Sequence, residues 1–566
     1  MKYESQILAA FARIGFTPRS NQISVINDVV SAFIDAGKKN VILNAPTGTG
    51  KSIIGIVTAE VISDVIGRAG KEGTHSSISI TATNILNKQY RETFGNMKNH
   101  EFLMIKGANN YKCKALSNEQ IFESAESCIQ QTLKVMGKTD KCIGCEYAAN
   151  KSYRNATRHV STNYAYYFID QMYSQKGLES RDIIIWDEAH LLNEIFADFN
   201  EISFSEKTLK AMADDQTKAL AFEDHDTSDL QVVMKDLKAG KIDQRNYRDY
   251  LIRVKKLYMT FIKAFASEAE FYLDGKNISN YIKFLKLKKK YVQKYQKIDD
   301  LEKYDYDHVF EFKEAEVVAS IKPIFVNTIF PSLLNSTYNL FMSATITPVL
   351  FEETIGLNSN ETAFIKVDPI FPKESKKVVF YKTKSLNFNS LRSSDTIEEL
   401  TSNINKIISR HVKKGENGII LTPSFALQET IVKVVSDSSF QFYIQNKGDK
   451  LEEVVNKFKA HKGSKPAVLI SPSLFEGVDL PGDLSRFQVL VKAPYQSLSD
   501  KRVKYIMDNH KKIYELYTLM KIIQGAGRSI RSMDDYATTY VLDYNAEKLF
   551  NGNLNIWKDE FNCTKV

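Results

Sequence analysis

The chain has 566 residues, of which 43% are hydrophobic and 25% charged, with a net charge of +8 and five cysteines. This composition predicts a globular protein of more than one domain. It excludes membrane spans, because no segment reaches roughly 18 uninterrupted apolar residues, and the first residues lack the pattern of a secretory signal. We expect a cytoplasmic protein (host cytoplasm if phage-encoded), in a reducing compartment where cysteines do not form a disulfide framework.

Short apolar runs rich in β-branched residues recur between helical patterns, as in parallel sheets covered by helices on both faces. The predicted strands are Asn40–Asn44, Ile78–Thr81, Ile183–Trp186, Asn339–Met342, Gly418–Leu421, Ala467–Ile470, Gln488–Val491 and Thr539–Leu542. One group lies before about Ser343 and the other after Gly418. The fold class is therefore α/β, with two parallel-sheet domains in tandem.

Residues 45–52 follow the first strand and have the composition of a phosphate-binding loop that leads into a helix. The residues expected to contact ATP are Gly48, Thr49, Gly50, Lys51 and Ser52, with Lys51 at the β- and γ-phosphates and Ser52 on Mg²⁺. A glycine-rich turn is the alternative, since Ala45 replaces the usual first glycine. The next run, Ile53 to Ile66, is broken by Glu60 and Asp64 and predicts an amphipathic helix.

Four cysteines follow with the spacing C-x14-C-x13-C-x2-C, namely Cys113, Cys128, Cys142 and Cys145. A structural zinc site usually has two close pairs of cysteines, and here only the last two are close. The spacing alone leaves zinc, an iron–sulfur cluster and unrelated thiols open. Cys563, near the end of the chain, is predicted to be a bystander.

Asp187, Glu188 and His190 follow the apolar strand Ile183–Trp186. A carboxylate at the end of a buried strand can hold the water shell of Mg²⁺, which is the role expected of Asp187. Glu188 is expected to polarise the attacking water as a general base. His190 is positioned to couple this site to the next domain.

The strand pattern vanishes between Leu192 and about Phe325, where helical periodicity dominates. Within it, Phe284, Leu287, Tyr291 and Tyr295 recur at helix spacing, and a second stripe consists of Lys283, Lys286, Lys290, Lys294 and Lys297. A solvated lysine face is one interpretation of this stripe. A basic wall along a nucleic-acid channel is the other.

The last motif is Gln524 to Arg531, in which Arg528 and Arg531 lie one helical turn apart. Two such arginines could stabilise the charge that develops on a γ-phosphate. Gln524 and the intervening glycines complete a helicase pattern. A surface arginine pair is the alternative.

The chain resembles the XPD/DinG family of superfamily 2 helicases nearly end to end. Further segments that carry the resemblance are Thr17–Gln22, Thr81–Thr83 with Leu86 and Gln89, Lys106–Cys113, Thr162–Tyr164, Ser343–Pro348, Thr422–Phe425 and Phe475–Gly482. The resemblance implies that Gln22 lies near the adenine, that Gly477 and Asp479 belong to the nucleotide site, and that Thr81–Thr83 touches nucleic acid. The chain is short for the family, and Asn545 stands where the family often has arginine.

The resemblance also implies a domain plan. A RecA-like helicase domain 1 is expected in three parts, residues 1–105, 151–191 and 326–348, and a second RecA-like domain over 349–566. Residues 106–150 are expected to form an iron–sulfur domain, with the four cysteines on a [4Fe–4S] cluster, and 192–325 a helical arch. The two insertions would frame a pore for single-stranded DNA.

The resulting prediction is a monomeric ATP-dependent DNA helicase that uses ATP, Mg²⁺ and a [4Fe–4S] cluster. It would move 5′ to 3′ on single-stranded DNA and open tailed duplexes, with DNA–RNA hybrids as a further substrate. One alternative is a translocase that displaces proteins or remodels R-loops. A second is a clamp switched by ATP that does not unwind.

Overall fold

The computed structural model describes residues 1–46, 48–67, 76–97, 101–113, 144–174, 177–213, 228–274, 278–387, 389–435, 439–475, 480–530 and 532–566, with the backbone alone for Ser20 and for 264–286 within its helices. These residues form two compact units. The first comprises Met1–Leu43, Ser52–Met342 and Pro348–Ile365, and the second comprises Asn44–Lys51, Ser343–Thr347 and Lys366–Val566.

Strands and helices alternate along most of the described chain. The strands are β1 (Asn40–Asn44), β2 (Ser77–Thr81), β3 (Phe102–Met104), β4 (His159–Asn163), β5 (Ile183–Asp187), β6 (Ile202–Ser205), β7 (His308–Lys313), β8 (Val318–Pro323), β9 (Tyr338–Ser343), β10 (Thr362–Lys366), β11 (Lys376–Phe380), β12 (Gly418–Leu421), β13 (Gln441–Ile444), β14 (Ala467–Ser471), β15 (Phe487–Leu490), β16 (Ala537–Val541) and β17 (Asn562–Lys565). The prediction of all eight strands is confirmed, with bounds that differ by at most two residues.

The helices of the first unit are α1 (Glu4–Ile14), α2 (Ser20–Ile34), α3 (Lys51–Val65), α4 (Asn84–Phe94), α5 (Glu146–Tyr153), α6 (Tyr164–Tyr173), α7 (Leu192–Phe199), α8 (Glu206–Ala213), α9 (Ser228–Lys238), α10 (Tyr247–Asp274), α11 (Ile278–Tyr304) and α12 (Pro348–Ile355). Those of the second unit are α13 (Ser394–Val412), α14 (Phe425–Val434), α15 (Leu451–Lys459), α16 (Lys501–Asn509), α17 (Lys511–Ala526), α18 (Tyr544–Gly552) and α19 (Leu554–Trp557). Within the described ranges, no helix combines the length and apolarity needed to cross a membrane.

A seven-stranded sheet organises the first unit, in the order β10-β1-β9-β5-β2-β4-β3. Its neighbouring strands run parallel, as in the pairing of β5 with β2 and with β9. Every residue of β1, β2 and β5 is buried. Continuous burial explains the unbroken apolar runs of β1 and β5 in the sequence, since helices cover both faces of a parallel sheet.

Helix α3 differs from the predicted amphipathic helix, because its residues 54–63 are all buried. Glu60, which interrupts the apolar run, accepts hydrogen bonds from Arg13 Nε at 2.8 Å and Arg158 Nε at 2.7 Å. Asp64 accepts from Arg13 Nη2 at 2.6 Å. Ion pairing therefore lets the two carboxylates lie on a helix that is covered on nearly all sides.

Residues 192–325 contain the long helices α10 and α11, as the helical periodicity predicts, but also a three-stranded antiparallel sheet in the order β6-β8-β7. The expectation that strands vanish here is wrong. In β7, Phe310 is buried and lies opposite Ile321 of β8, while the residues around it are partly exposed. A half-buried hairpin keeps charged residues on its outer face, so its pattern is weak in the sequence.

Two members of the lysine stripe on α11 depart from both interpretations, whereas Lys290 is exposed, as in a solvated face. Lys294 Nζ donates to the main-chain oxygen of Ser203 at 2.9 Å, and Lys297 Nζ to that of Glu201 at 3.3 Å. Tyr291 is buried against Tyr258, with ring centroids 5.4 Å apart. These side chains therefore join α11 to its own unit. The side chains of Lys283, Phe284 and Lys286 lie outside the described residues.

A second seven-stranded sheet organises the other unit, in the order β13-β14-β12-β15-β16-β11-β17. Its strand pairs are parallel, including the pairing of β11 with the C-terminal strand β17. A separate hydrophobic core lies on each face. Cys563, in β17, packs against one of these cores, and burial raises the pKa of its thiol to about 12. This environment is that of an inert structural thiol.

Candidate nucleotide and metal site

The candidate site lies at the edge of the first sheet where β5 ends. Strand β9 lies between β1 and β5, and all three run in the same direction. Asp187 is the last residue of β5, and β1 leads into the glycine loop and α3. Since the carboxyl ends of parallel strands are where α/β sheets bind ligands, this edge is the candidate site.

A tyrosine hydroxyl anchors Asp187 at this edge. Tyr90 Oη, on α4, donates to Asp187 Oδ2 at 3.1 Å, with the Ser52 side chain nearby. Burial and the neighbouring charge of Asp187 raise the pKa of Tyr90 well above its usual range, so the hydroxyl stays neutral. The Ser52 hydroxyl and the Asp187 carboxylate thus lie near each other, and both are oxygen ligands of the kind that Mg²⁺ prefers.

Asp187 is fixed at both its main chain and its side chain. Its Oδ1 accepts from the main-chain N–H of Glu188 at 3.0 Å, and its main-chain oxygen accepts from Tyr164 Oη at 3.0 Å. Only 4% of Asp187 is exposed. A carboxylate held in this way needs little reorganisation to bind a cation.

Glu188 follows Asp187 directly, with a left-handed backbone and a partly exposed carboxylate. Its backbone adopts φ 51°, a left-handed conformation that costs a non-glycine residue energy, and such strain concentrates at functional sites. The side chain is 28% exposed, and its Oε2 lies 3.3 Å from Nδ1 of the buried His190. The next turn of the chain, Ala189–Leu191, is a short 3₁₀ helix.

The glycine loop has the backbone that phosphate binding requires. Gly48 and Gly50 have φ of 88° and 78°, which a side chain would disfavour. Thr49 is fully buried, and its Oγ1 donates to the main-chain oxygen of Pro46 at 2.9 Å. Lys51 is the first residue of α3. Thr47 lies outside the described residues.

Gln22, the residue expected near the adenine, is 2% exposed at the start of α2. Its Oε1 accepts from the main-chain N–H of Arg19 at 3.0 Å, which places the amide in the cap of that helix. The side chain of Gln22 is therefore anchored at the start of α2.

In the second unit, Gln524 Nε2 on α17 donates to Thr345 Oγ1 at 3.1 Å, so two of the segments that carry the resemblance meet. Arg528 follows the end of this helix and is 5% exposed. Arg531, Gly477 and Asp479 lie outside the described residues.

Two of the four predicted sulfur ligands are described, and both are half-buried thiols outside any disulfide. The segments that carry them meet through Tyr111 and Tyr147, each two residues from a cysteine, with ring centroids 5.6 Å apart. Asn150 Nδ2 also donates to Tyr111 Oη at 3.2 Å. These contacts bring the chain near Cys113 and Cys145 together. Cys128 and Cys142 lie outside the described residues.

A second concave surface lies at the carboxyl ends of β12, β14 and β15. The cavity has a volume of about 280 Å³ and is lined by Pro423, Pro472, Ser473, Phe475, Pro494, Tyr495, Gln496 and Lys521. Tyr495 stacks on Tyr514 with ring centroids 5.3 Å apart. Aromatic rings beside a lysine are suited to a ligand with flat bases and phosphates.

Two family models match the chain. The model described as the helicase C-terminal domain matches residues 408–553, and the model described as the res subunit of type III restriction enzymes matches residues 15–213. The first lies within the second unit. The second includes the glycine loop and Asp187.

Curated relatives match over nearly the whole chain. The ATP-dependent DNA helicase XPD of Sulfolobus acidocaldarius is 22% identical over 551 residues, which cover 92% of this chain and 94% of the relative. The ATP-dependent DNA helicase YoaA of Escherichia coli K12 is 20% identical over 606 residues, with shares of 94% and 92%.

The fold is similar to that of a solved structure, Xpd4 of S. tokodaii, with a TM-score of 0.60 and 15% identity. The match covers 96% of this chain and 100% of the other. It supports the prediction of two tandem parallel-sheet domains of the RecA type.

Proposed function

We propose that this chain, an XPD/DinG-like enzyme of helicase superfamily 2, uses ATP hydrolysis to move along single-stranded DNA and open duplex DNA. The observation that carries the proposal is the Asp187 carboxylate at the edge of the first sheet, held by the Tyr90 hydroxyl with the Ser52 side chain nearby. The full-length similarity to two DNA helicases supports DNA as the substrate.

Each site residue then has a role in phosphoryl transfer. Lys51 would reach the β- and γ-phosphates, while Ser52 and Asp187 hold Mg²⁺ and its water shell. Glu188 would orient and activate the attacking water. The proposed transition-state residues are Gln524, Arg528 and Arg531, and the residues proposed to complete the nucleotide site are Gln22, Gly48, Thr49, Gly50, Gly477 and Asp479.

We assign the cavity beside Tyr495 and Lys521 to single-stranded DNA. It lies at the ligand-binding edge of the second sheet and combines aromatic and cationic side chains, which is how proteins bind single strands without reading their sequence. Such contacts do not distinguish DNA from RNA in one strand, so DNA–RNA hybrids are proposed as further substrates. Movement from 5′ to 3′ is proposed from the family resemblance.

We also propose the domain plan that the resemblance implies, with 106–150 as an iron–sulfur domain and 192–325 as an arch. The contacts of Tyr111 with Tyr147 and Asn150 are compatible with a cluster, because they bring together the two segments that carry Cys113 and Cys145, both outside any disulfide. Cys113, Cys128, Cys142 and Cys145 would hold a [4Fe–4S] cluster, which would stabilise this loop-rich segment. Unpaired thiols favour a cytoplasmic location, where we propose that the protein acts as a monomer.

The experiment that tests the function measures strand displacement on duplexes with a 5′ tail, a 3′ tail or no tail. We expect ATP-dependent displacement from the 5′ tail, and none with Lys51→Ala. Displacement from the 3′ tail alone would contradict the polarity.

The same assay separates the alternatives. A translocase with little unwinding would displace a bound protein from single-stranded DNA without separating the duplex. A clamp would hydrolyse ATP when bound to DNA but displace neither strand nor protein. Either result would overturn the helicase proposal.

A further inference from the structure

The hydroxyl of Tyr90 is directed at one of the proposed Mg²⁺ ligands. A carboxylate only accepts hydrogen bonds, so the single proton of Tyr90 is donated to Asp187 Oδ2 at 3.1 Å. The side chain of Ser52, the other proposed ligand, lies near the same hydroxyl.

Two donors therefore orient the carboxylate of Asp187. Its Oδ2 faces Tyr90 and its Oδ1 faces the N–H of Glu188, so both oxygens are positioned before a cation binds. We propose that Tyr90 is a positioning residue that sets the affinity of the site for Mg²⁺ bound with ATP.

The ring of Tyr90 is held firmly enough to do this. Tyr90 is 3% exposed, and its ring packs against Phe94 with centroids 5.8 Å apart. Phe94 is itself buried against Phe16 and Phe102. A phenylalanine at position 90 would keep this packing and lose only the hydroxyl, so the substitution isolates the hydrogen bonds.

Helix α4 connects Tyr90 to a second proposed contact. Its N-cap is Thr83, whose Oγ1 accepts from the N–H of Leu86 at 3.2 Å, and Tyr90 lies about two turns further on. The segment Thr81–Thr83 is the one that the family resemblance assigns to nucleic acid, so this step rests on the proposed function. Strand binding at the start of α4 would act on the metal ligands through a single rigid helix.

The test measures binding of a fluorescent ATP analogue to the full chain during Mg²⁺ titration, with and without single-stranded DNA. Tyr90→Phe should raise the Mg²⁺ concentration at half-saturation roughly tenfold, as loss of a hydrogen bond to a charged group would. Binding in EDTA should be unchanged. DNA should lower this concentration in the wild type and have less effect in the variant.

Tyr167→Phe is the matched control, because Tyr167 is a fully buried tyrosine whose hydroxyl donates to the main-chain oxygen of Leu333 and not to Asp187. Thermal unfolding of both variants reports on the fold. A Mg²⁺ midpoint for Tyr90→Phe within twofold of wild type, or an equal shift in Tyr167→Phe, would overturn the role of Tyr90. A wild type that binds no ATP analogue would instead refute the proposed function.

Discussion

The ammonium group of Lys294 donates to the main-chain oxygen of Ser203 at 2.9 Å, and this contact attaches α11 to β6. Burial, with the positive charges of Lys290 and Lys297 nearby, lowers the pKa of Lys294 to about 8. Burial likewise lowers the pKa of Lys297 to about 8. Burial of these lysines in their charged form therefore disfavours folding, whereas lysines on a solvated face would carry no such cost.

The free energy of unfolding should consequently rise with pH between about 8, the pKa of Lys294 in the folded chain, and its ordinary value of 10.5. Between pH 8 and 10.5 the unfolded chain keeps a proton on Lys294 that the folded chain has released, so higher pH favours the folded state. Lys294→Met should reduce this rise, and the double substitution with Lys297→Met should reduce it further. Urea unfolding followed by circular dichroism across this range measures the effect.

Lys289→Met is the control for this prediction, since Lys289 lies on the same helix with its side chain exposed. It should leave the pH dependence as in the wild type. An equal reduction in Lys294→Met and Lys289→Met would show that the effect comes from net charge and not from burial.

The sequence was most informative where burial is continuous. The predicted strands matching β1, β5 and β12 are buried along their whole length and contain unbroken apolar runs, because both faces of each sheet are covered. Strand β4, His159–Asn163, was missed although it lies inside the same sheet. Its polar residues are satisfied by partners distant in sequence, as when His159 Nε2 meets Glu60 at 2.8 Å, and a local pattern does not contain such partners.

Glu60 should be one of the most sensitive positions for stability in the first unit. Its carboxylate is 3% exposed and is shared by Arg13, Arg158 and His159. Glu60→Ala leaves buried donors without their acceptor and should cost about 3 kcal/mol or more. Chemical unfolding measures this, and Glu361→Ala, at an exposed ion pair with Lys39, should cost less than about 1 kcal/mol.

Acid should remove the contribution of Glu60 over a defined range. Burial alone would raise the pKa of Glu60, but the hydrogen bond with His159 and the charges around it lower the pKa to about 2 from an ordinary 4.5. Its stabilisation is thus complete above pH 4.5 and is lost as the pH falls towards 2. Glu60→Gln should flatten this part of the acid-unfolding curve, and an unchanged slope would contradict the pairing.

Hydrolysis should depend on Lys51 and Glu188. Glu188→Gln keeps the shape of the side chain but removes the proposed base, so the DNA-stimulated turnover of ATP should fall roughly 10²- to 10⁴-fold. Lys51→Ala should abolish turnover together with nucleotide binding. Phosphate release measures both, and Glu361→Gln is the neutral carboxylate control. Undiminished turnover in both site variants would refute the assignment.

The candidate site shows the limit of local motifs. Asp187, Glu188 and Ser52 were predicted because each lies in a short pattern beside a strand. Tyr90 was missed, since a tyrosine on a helix has no motif of its own. One signal was present: Asn87, Tyr90 and Phe94 share the buried face of α4, and a buried tyrosine needs a partner for its hydroxyl.

The cysteines give the last prediction. If Cys113 and Cys145 are cluster ligands, anaerobically purified protein should be brown and contain close to four irons per chain, as a [4Fe–4S] cluster requires. Cys113→Ser and Cys145→Ser should each lose most of this iron and the visible absorbance. Because metal binding is coupled to folding, the segment between them should also become more sensitive to protease.

Cys563→Ser is the matched control, because Cys563 is a thiol outside any disulfide. It lies in β17, and packing of that strand accounts for its partial burial without a metal. It should keep full iron content and absorbance. Elemental analysis separates the remaining possibilities. If the wild type contains zinc and no iron, the site on these cysteines is a zinc site and the cluster assignment is wrong. Iron that is retained in both Cys113→Ser and Cys145→Ser would refute the ligand assignment.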